Sequence, residues 1–306
     1  MRRCIDPRCR LVWLDPQPIE EDIGRAYAEY YTHAAAASGA SLPRKVFRKV
    51  RASVLRARLG YSEATTGAGS RFLALLGSLY PGGSDALAAS AMFVKAPDAS
   101  SSLLDVGCGA GDFMATMRDL GWRVSGVETD PQAVERAVQR GLDVRHSGLE
   151  DAGFAGASFE ALTMAHVIEH VHDPLQLLAE CRRILKPRGV LVLLTPNSDS
   201  WGHRRFGRDW RGLEPPRHMR VHNRRNLLRL LKSADLVPVR VATLAINANA
   251  IWRTSAAIRK ARSNRSARVA PPRSLAAGVP AQVAERARLK VDADAGEDLL
   301  AIATRV

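Results

Sequence analysis

The sequence is poor in cysteine, in aromatic residues and in acidic charge. Its four cysteines, Cys4, Cys9, Cys108 and Cys181, are scattered along 306 residues, which excludes a disulfide-stapled scaffold. No apolar run approaches about 18 residues, so no membrane-spanning helix is expected, and no apolar segment of the signal-peptide kind follows the N-terminus. These absences fit a bacterial-type cytoplasmic enzyme. Acidic residues number 31 against 45 Lys and Arg, for a net charge of +14. Between Arg204 and Arg262 the only acids are Asp209, Glu214 and Asp235. Such a balance is compatible with a nucleic-acid or anionic-lipid surface. The arginines are not interleaved with stacking aromatics, however, so the excess reads more simply as Arg- and Ala-rich codon usage.

What is present is ordinary globular material. A hydrophobic content of 46% over 306 residues supports a sizeable core. The length accommodates one large domain with appendages, or two small ones. Residues 1–43 read as irregular, with "AAAASGAS" as a flexible joint. Residues 44–95 read as helices rich in Arg, Ala and Leu, broken at "GYSEATTGAGS" and "YPGGSD", and are expected to form an N-terminal helical cap. From Ser101 the pattern alternates. "SLLDVG", "RVSGVE", "LDVRH", "FEALTMA" and "VLVLLT" read as strands. "DFMATMRDLG", "DPQAVERAVQRG" and "DPLQLLAECRRILKPRG" read as helices, the second opened by Asp130 and Pro131. After a Pro-rich loop come a helix, "NRRNLLRLLKSAD", and a strand, "VPVRVATLA". The stretch 250–290 reads as a basic, Pro-broken insertion, and "EDLLAIATRV" as a closing strand. Strands alternating with helices of this length imply a mostly parallel sheet with helices on both faces, an α/β domain from about 96 to 306.

In "LLDVGCGAGDF" a strand runs directly into Gly107, Cys108, Gly109, Ala110 and Gly111, then into a helix. Glycines there allow positive φ and let a ligand approach the backbone. Ligands of open α/β sheets bind at the carboxyl ends of strands, where this loop stands. The G-x-G-x-G spacing differs from the dinucleotide G-x-G-x-x-G, and no Lys-Ser/Thr follows to make a phosphate-cradling loop. Glu128 ends the next strand, where a carboxylate accepts hydrogen bonds from two ribose hydroxyls and repels a 2′-phosphate.

With these motifs in place the sequence resembles the class I S-adenosylmethionine-dependent methyltransferases. "LLDVGCGAGDF", "GVETDPQAV", "SFEALTMAHVIEHVHDP" and "ILKPRGVLVLLTPN" stand in that family's order, from about Leu103 to Leu231 and again in the last strand. The resemblance extends to a type 23-like subgroup with a W-x-x-LEPPRH loop and an N-terminal C-x-LVWLDPQP segment. It implies a Rossmann-like, seven-stranded, mostly parallel sheet with S-adenosyl-L-methionine as cofactor. By resemblance, Asp105 orients the methionine end through a loop of Gly107, Cys108, Gly109 and Gly111. Glu128 takes the ribose hydroxyls, with Thr129 and Asp130 beside the adenine. Leu149 and Glu150 flank the adenine, although the family often has Asp where Ser147 or Gly148 stands here. His166 contacts the methionine part, and Glu169 and His170 face the acceptor.

Methyl transfer from a sulfonium asks for in-line orientation and exclusion of water, worth about 7–11 kcal/mol, and for a base of suitable pKa. His170 is the expected base, with Glu169 orienting it. The bland reading is a pair that pins the following helix, and His172, before a helix start, reads as structural. His218 is the rival base. It hangs with Arg217 from "DWRGLEPPRHM", a loop stiffened by Pro215 and Pro216. There Arg217 would bind an acceptor carboxylate or phosphate, with Trp201 and Trp210 as cavity wall or as packing beneath the lid. His222 is an additional histidine near the mouth.

The expected activity is methylation of a small molecule, on oxygen first. C-methylation of a nucleotide-linked sugar is the alternative, and a nucleic-acid methyltransferase stands third, because "MAHVIEH" occupies the place of the (N/D)-P-P-(Y/F) signature. Nucleic acid is therefore not an expected partner, and contact of residues 250–290 with an anionic membrane surface is a weaker reading than a solvated linker. Cys4 and Cys9 form a C-x4-C that resembles half of the subgroup's four-cysteine zinc knuckle. Two thiolates make a poor structural site, so no metal is expected in this chain.

Overall fold

A computed structural model of the chain describes residues 1–19, 22, 44–61, 69–77, 79, 83–98, 100–263 and 279–306. The joint at 34–41 and residues 264–278 of the basic stretch lie outside the described residues. Successive side chains of its central strands serve two different cores, as the two-residue period of a strand buried on both faces requires. Leu104, Leu191, Leu193, Leu299 and Ala301 join one apolar cluster; Leu103, Val192, Leu194 and Leu300 join the other.

The strands are β3 (Ser102–Val106), β4 (Arg123–Glu128), β5 (Asp143–His146), β6 (Phe159–Ala165), β7 (Leu185–Pro196), β9 (Val237–Leu244) and β10 (Asp298–Thr304). They form one seven-stranded sheet in the order β5-β4-β3-β6-β7-β10-β9. The pairs among β3 to β7 are parallel, and β10 runs antiparallel between β7 and β9. The carboxyl edge of the parallel strands therefore also receives the first residues of β10.

Connecting helices start where the sequence supplies caps. Helix α4 (Asp112–Asp119) follows the glycine loop. In α5 (Pro131–Gln139) Asp130 accepts from Gln132 N, and in α6 (Pro174–Ile184) Asp173 accepts from Leu175 N and Gln176 N. Both have proline at the first helical position, where a missing N–H costs nothing. Asn223 and Asn226 make a reciprocal capping box on α8 (Arg224–Ser233). Helices α6 and α8 cover one face with Leu177, Leu178, Leu227 and Leu231. On the other lie α4, through Met117, and the cap helix α1 (Arg44–Leu59), through Leu55 and Leu59. Two more cap helices, α2 (Gly69–Gly77) and α3 (Gly83–Ala88), pack on α1.

Three expectations need correction. The helix expected through "LKPRG" ends at Ile184, and β7 begins at Leu185 opposite Phe159. Pro187 disfavours the helical region for Lys186, and Arg188 turns left-handed at φ +63. The segment expected to be irregular holds a hairpin, β1 (Arg2–Arg3) with β2 (Val12–Trp13), and β2 pairs with β8 (Arg220–Val221) just past the Pro-rich loop. The stretch expected to be a basic, Pro-broken linker contains α9 (Ala248–Ser263) and α10 (Val279–Arg288), packed on each other. Among the described residues no helix is long and apolar enough to cross a membrane.

Candidate active site

The glycine loop leaves β3 and curls toward β4, with Gly107 N and Cys108 N both donating to Val127 O (2.9 and 3.1 Å). Gly109 and Gly111 hold left-handed φ of +53 and +78, which a side chain would strain. A Cβ on Gly111 would stand 2.2 Å from Leu142 Cδ1, so the buried Leu142 side chain fills the space a side chain here would need. A Cβ on Gly109 would meet nothing within 4 Å, so the loop's outer side is open to a ligand.

Glu128 closes the far side of this opening. Its Oε2 accepts from Gly109 N (2.8 Å), and its Oε1 from Thr129 N and Asp130 N (2.8 and 2.9 Å). The carboxylate is thereby pinned at the carboxyl end of β4 and keeps capacity for further donors. The Asp130 side chain is committed as the cap of α5, and Thr129 is exposed. Behind the loop, Asp105 is buried and accepts from Thr163 Oγ1 (2.7 Å). Burial raises its carboxyl to about 7 against the Thr163 hydrogen bond, with the Glu128 charge adding to the rise. Burial likewise pushes the Cys108 thiol up, so this cysteine is an inert wall of the loop. Past β5, Leu149 is buried, Glu150 is exposed, and Ser147 Oγ is buried without a partner among the described residues.

The histidines gather past β6. His166, at a left-handed φ of +56, places Nδ1 3.2 Å from Glu169 Oε1 and Nε2 3.9 Å from Asp298 Oδ1. Its side chain is 42% exposed, yet protein surrounds it, so that exposure faces a cleft. Burial opposes its charge, but Glu169, Asp298 and Glu214 together raise the imidazole to about 9. Glu169 is fully buried. Desolvation alone would raise its pKa, but the hydrogen bond to His166 together with the charges of His170, His166 and His218 outweighs that and holds it at about 2. Thr195 Oγ1 donates to its other oxygen (2.9 Å). Glu169 and His166 therefore form an ion pair at neutral pH.

His170 and His218 pack edge to face, with ring centroids 4.7 Å apart. Each directs Nδ1 at a carbonyl: His170 at Arg217 O (3.1 Å), His218 at Gly212 O (2.8 Å). A carbonyl only accepts, so Nδ1 carries the proton and Nε2 the lone pair in both neutral rings. Glu169, His170 and His218 offer ligand atoms within 4.8 Å of one another, the geometry of a proton relay or a cation site. His170 is half-buried, whereas His218 is sealed and desolvation lowers it to about 4. His222 is also buried, and neither ring nitrogen has a partner among the described residues. His172 reaches Pro18 O (2.9 Å) and ties down the N-terminal segment.

The Pro-rich loop is anchored from beneath. Trp210 is 1% exposed, stacks on His203 and donates to Glu297 Oε2 (2.6 Å). It therefore packs under the lid instead of lining the cleft. Trp201 is half-buried against Trp252. Arg217, expected to meet an acceptor anion, turns back to Glu214, with Nε donating to Oε1 (2.9 Å).

A family profile described as "Methyltransferase domain" matches residues 84–241, just over half of the chain. The chain belongs to the methyltransferase-domain family. Within this class I group the methyltransferase cofactor is S-adenosylmethionine. The chain is similar to the ubiquinone biosynthesis O-methyltransferase of Cereibacter sphaeroides, at 38% identity over 116 residues, covering 35% of this chain and 47% of that one. It is also similar to the protein of the same name from Xanthomonas oryzae pv. oryzae, at 39% over 106 residues, covering 32% and 44%. The chain thus spans about half the length of the curated relatives it matches. Among solved structures, a geranyl diphosphate methyltransferase in complex with GPP and sinefungin superposes with a TM-score of 0.52 at 20% identity, covering 94% of this chain and 98% of that one. That likeness shows the fold.

The methyltransferase's own geometry fits an adenosine. Gly109 leaves the loop open, Glu128 presents a fixed carboxylate, and Ser147 Oγ is a buried hydroxyl without a partner among the described residues. Three residues near the site were not singled out from sequence. Thr163 reads as one residue of an apolar strand, Glu214 as part of a proline loop, and Asp298 as the start of the closing strand. Nothing local marks Asp298, because the antiparallel direction of β10 is what delivers it to the carboxyl edge.

Proposed function

We propose that this chain transfers the methyl group of S-adenosylmethionine to an oxygen of a small-molecule acceptor, with His170 as general base. The observation that carries the cofactor half of this reading is the Glu128 carboxylate, held against Gly109 N–H beside an open glycine loop. The oxygen half is supported by the ubiquinone biosynthesis O-methyltransferase relatives, matched over about half their length.

When bound, the cofactor supplies an electrophilic methyl group on a sulfonium. The protein's part is to orient, to exclude water and to hold a proton. Gly107 to Gly111 and Glu128 position the nucleoside and methionine ends, and Asp105 braces the loop from behind through Thr163. His166, charged beside Glu169, is a poor base because its lone pair is already protonated. His218 is buried, with Nε2 3.5 Å from Glu214 Oε2, and so is sealed from the cleft. His170 combines partial exposure with an Nε2 lone pair fixed by the Arg217 carbonyl, so it is the group able to take the acceptor's proton. The Glu169 carboxylate, with an oxygen within 4.8 Å of a His170 ring nitrogen, stabilises the imidazolium that forms.

The test is a tritiated-methyl transfer assay on acceptors from cell extract. His170→Ala is expected to lower kcat by about 10²–10⁴-fold, the range for a lost general base, while S-adenosylhomocysteine affinity stays unchanged. Full turnover by His170→Ala would remove His170 from the mechanism.

A further inference from the structure

Helices α1 and α3 meet residues 246–249 and Gln282 of α10 around a cavity of about 280 Å³ that the residues discussed above do not line. We propose that this cavity takes the anionic group of an otherwise apolar methyl acceptor, with Arg51 as its counter-charge. The inference rests on the methyltransferase reading and names the class of acceptor for it.

The cavity's wall mixes apolar and polar side chains and carries charge of one sign only. Phe47 of α1, Leu87 of α3 and Ile246, between β9 and α9, give it an apolar body, and Arg51 of α1 adds a guanidinium. No carboxylate is among the described residues that line it. Arg51 is half-buried, and no carboxylate among the described residues is paired with it. A guanidinium beside a cavity that no carboxylate lines offers an incoming anion both charge and hydrogen-bond donors. Asn249, in the first turn of α9, faces the same space with an amide able to donate. An apolar cavity of about 150 Å³ accepts benzene, so this one has room for a substituted ring together with its charged group.

Its position connects it to the methyl-transfer cleft. Asn247 lines the cavity and donates Nδ2 to Asp298 Oδ1 (3.3 Å), the oxygen that lies 3.9 Å from His166 Nε2. One side chain and one carboxylate therefore separate the anion subsite from the histidine cluster. The other oxygen of Asp298 is buried without a partner among the described residues, a vacant acceptor at the boundary between the two spaces.

The experiment is titration calorimetry on the full chain with three probes of one shape, benzoate, phenyl phosphate and neutral benzamide, in the absence of cofactor. The wild type is expected to bind one or both anions at least tenfold tighter than benzamide. Arg51→Ala should abolish that preference, and Arg51→Lys, which keeps the charge, should retain part of it. Equal binding of benzoate, phenyl phosphate and benzamide, failure of both anions to bind, or an unchanged preference in Arg51→Ala would overturn the subsite. S-adenosylhomocysteine is titrated separately into each variant. Its failure to bind the wild type would count against the methyltransferase reading, whereas intact binding with no anion preference would sink only the subsite.

Discussion

Gly111 and Gly109 carry the same backbone sign in different surroundings, and that difference makes the loop testable residue by residue. A side chain at either meets left-handed strain of about 1–2 kcal/mol. At Gly111 the Cβ also lands 2.2 Å from Leu142 Cδ1, and such overpacking adds about 1–3 kcal/mol. Gly111→Ala is therefore expected to lose about 2–5 kcal/mol of stability in urea unfolding, and Gly109→Ala only about 1–2. Equal losses would mean that helix α4 can back away from Leu142. The glycine spacing was legible in the sequence because it is local. The roles of the histidines were less so. "AHVIEHVHDP" and "RHMRVH" supply five of them, and only three-dimensional neighbours decide that His166 is charged, His170 half-open and His218 sealed.

At the scale of elements, one buried node joins α7 (Trp201–Phe206), the Pro-rich lid, α9 and α10 to the start of β10. Glu297 accepts from Trp210 Nε1, Ser200 Oγ and Trp252 Nε1, while Glu285 of α10 accepts from Trp252 Nε1 and from Glu297 N. Both carboxyls are fully buried. Desolvation raises both, and their mutual repulsion raises Glu285 further. A folded-state pKa above the unfolded one means that the folded chain binds the proton more tightly. The associated stability is complete below the ordinary carboxyl range and is lost as pH rises through the elevated values. The Tm of the wild type should therefore fall between about pH 5 and 9. Glu285→Gln should show a shallower slope, because one of the two competing ionisations is gone. Parallel slopes would contradict the raised ionisation of Glu285. This node also explains why α9 and α10 were illegible. Trp252 and Glu285 look like isolated residues in a basic stretch, and their partner Glu297 sits at the other end of the insertion. In contrast, α5, α6 and α8 announce themselves through Asp130, Asp173 and Asn223, which act within a few residues of their own position.

For the molecule as a whole, the net charge of +14 is partly structural. Arg259 and Arg262 of α9 both pair with the buried Asp209 of the lid, and Arg204 and Arg224 pair with Asp292 and Asp294. These contacts clamp the lid and the last helices together, so the excess of arginine between Arg204 and Arg262 need not face a polyanion. A mostly parallel sheet with helices on both faces was expected from the alternation of strands and helices, whereas its strand order comes from the structure. The N-terminal hairpin was not expected, because strands of two residues have too little alternation to read, and β2 finds its partner about two hundred residues away in β8.

The central claim is that the β3 loop and Glu128 hold an adenosine whose ribose the carboxylate grips. Titration calorimetry of S-adenosylhomocysteine into the wild type and into Glu128→Ala tests it most directly, with unfolding curves showing that both are folded. Hydrogen bonds to a charged group are worth about 1.5–3 kcal/mol, so the account predicts binding to the wild type and affinity weakened about tenfold to a hundredfold or more in the variant. No binding to the wild type, or equal affinities for the two proteins, would contradict it.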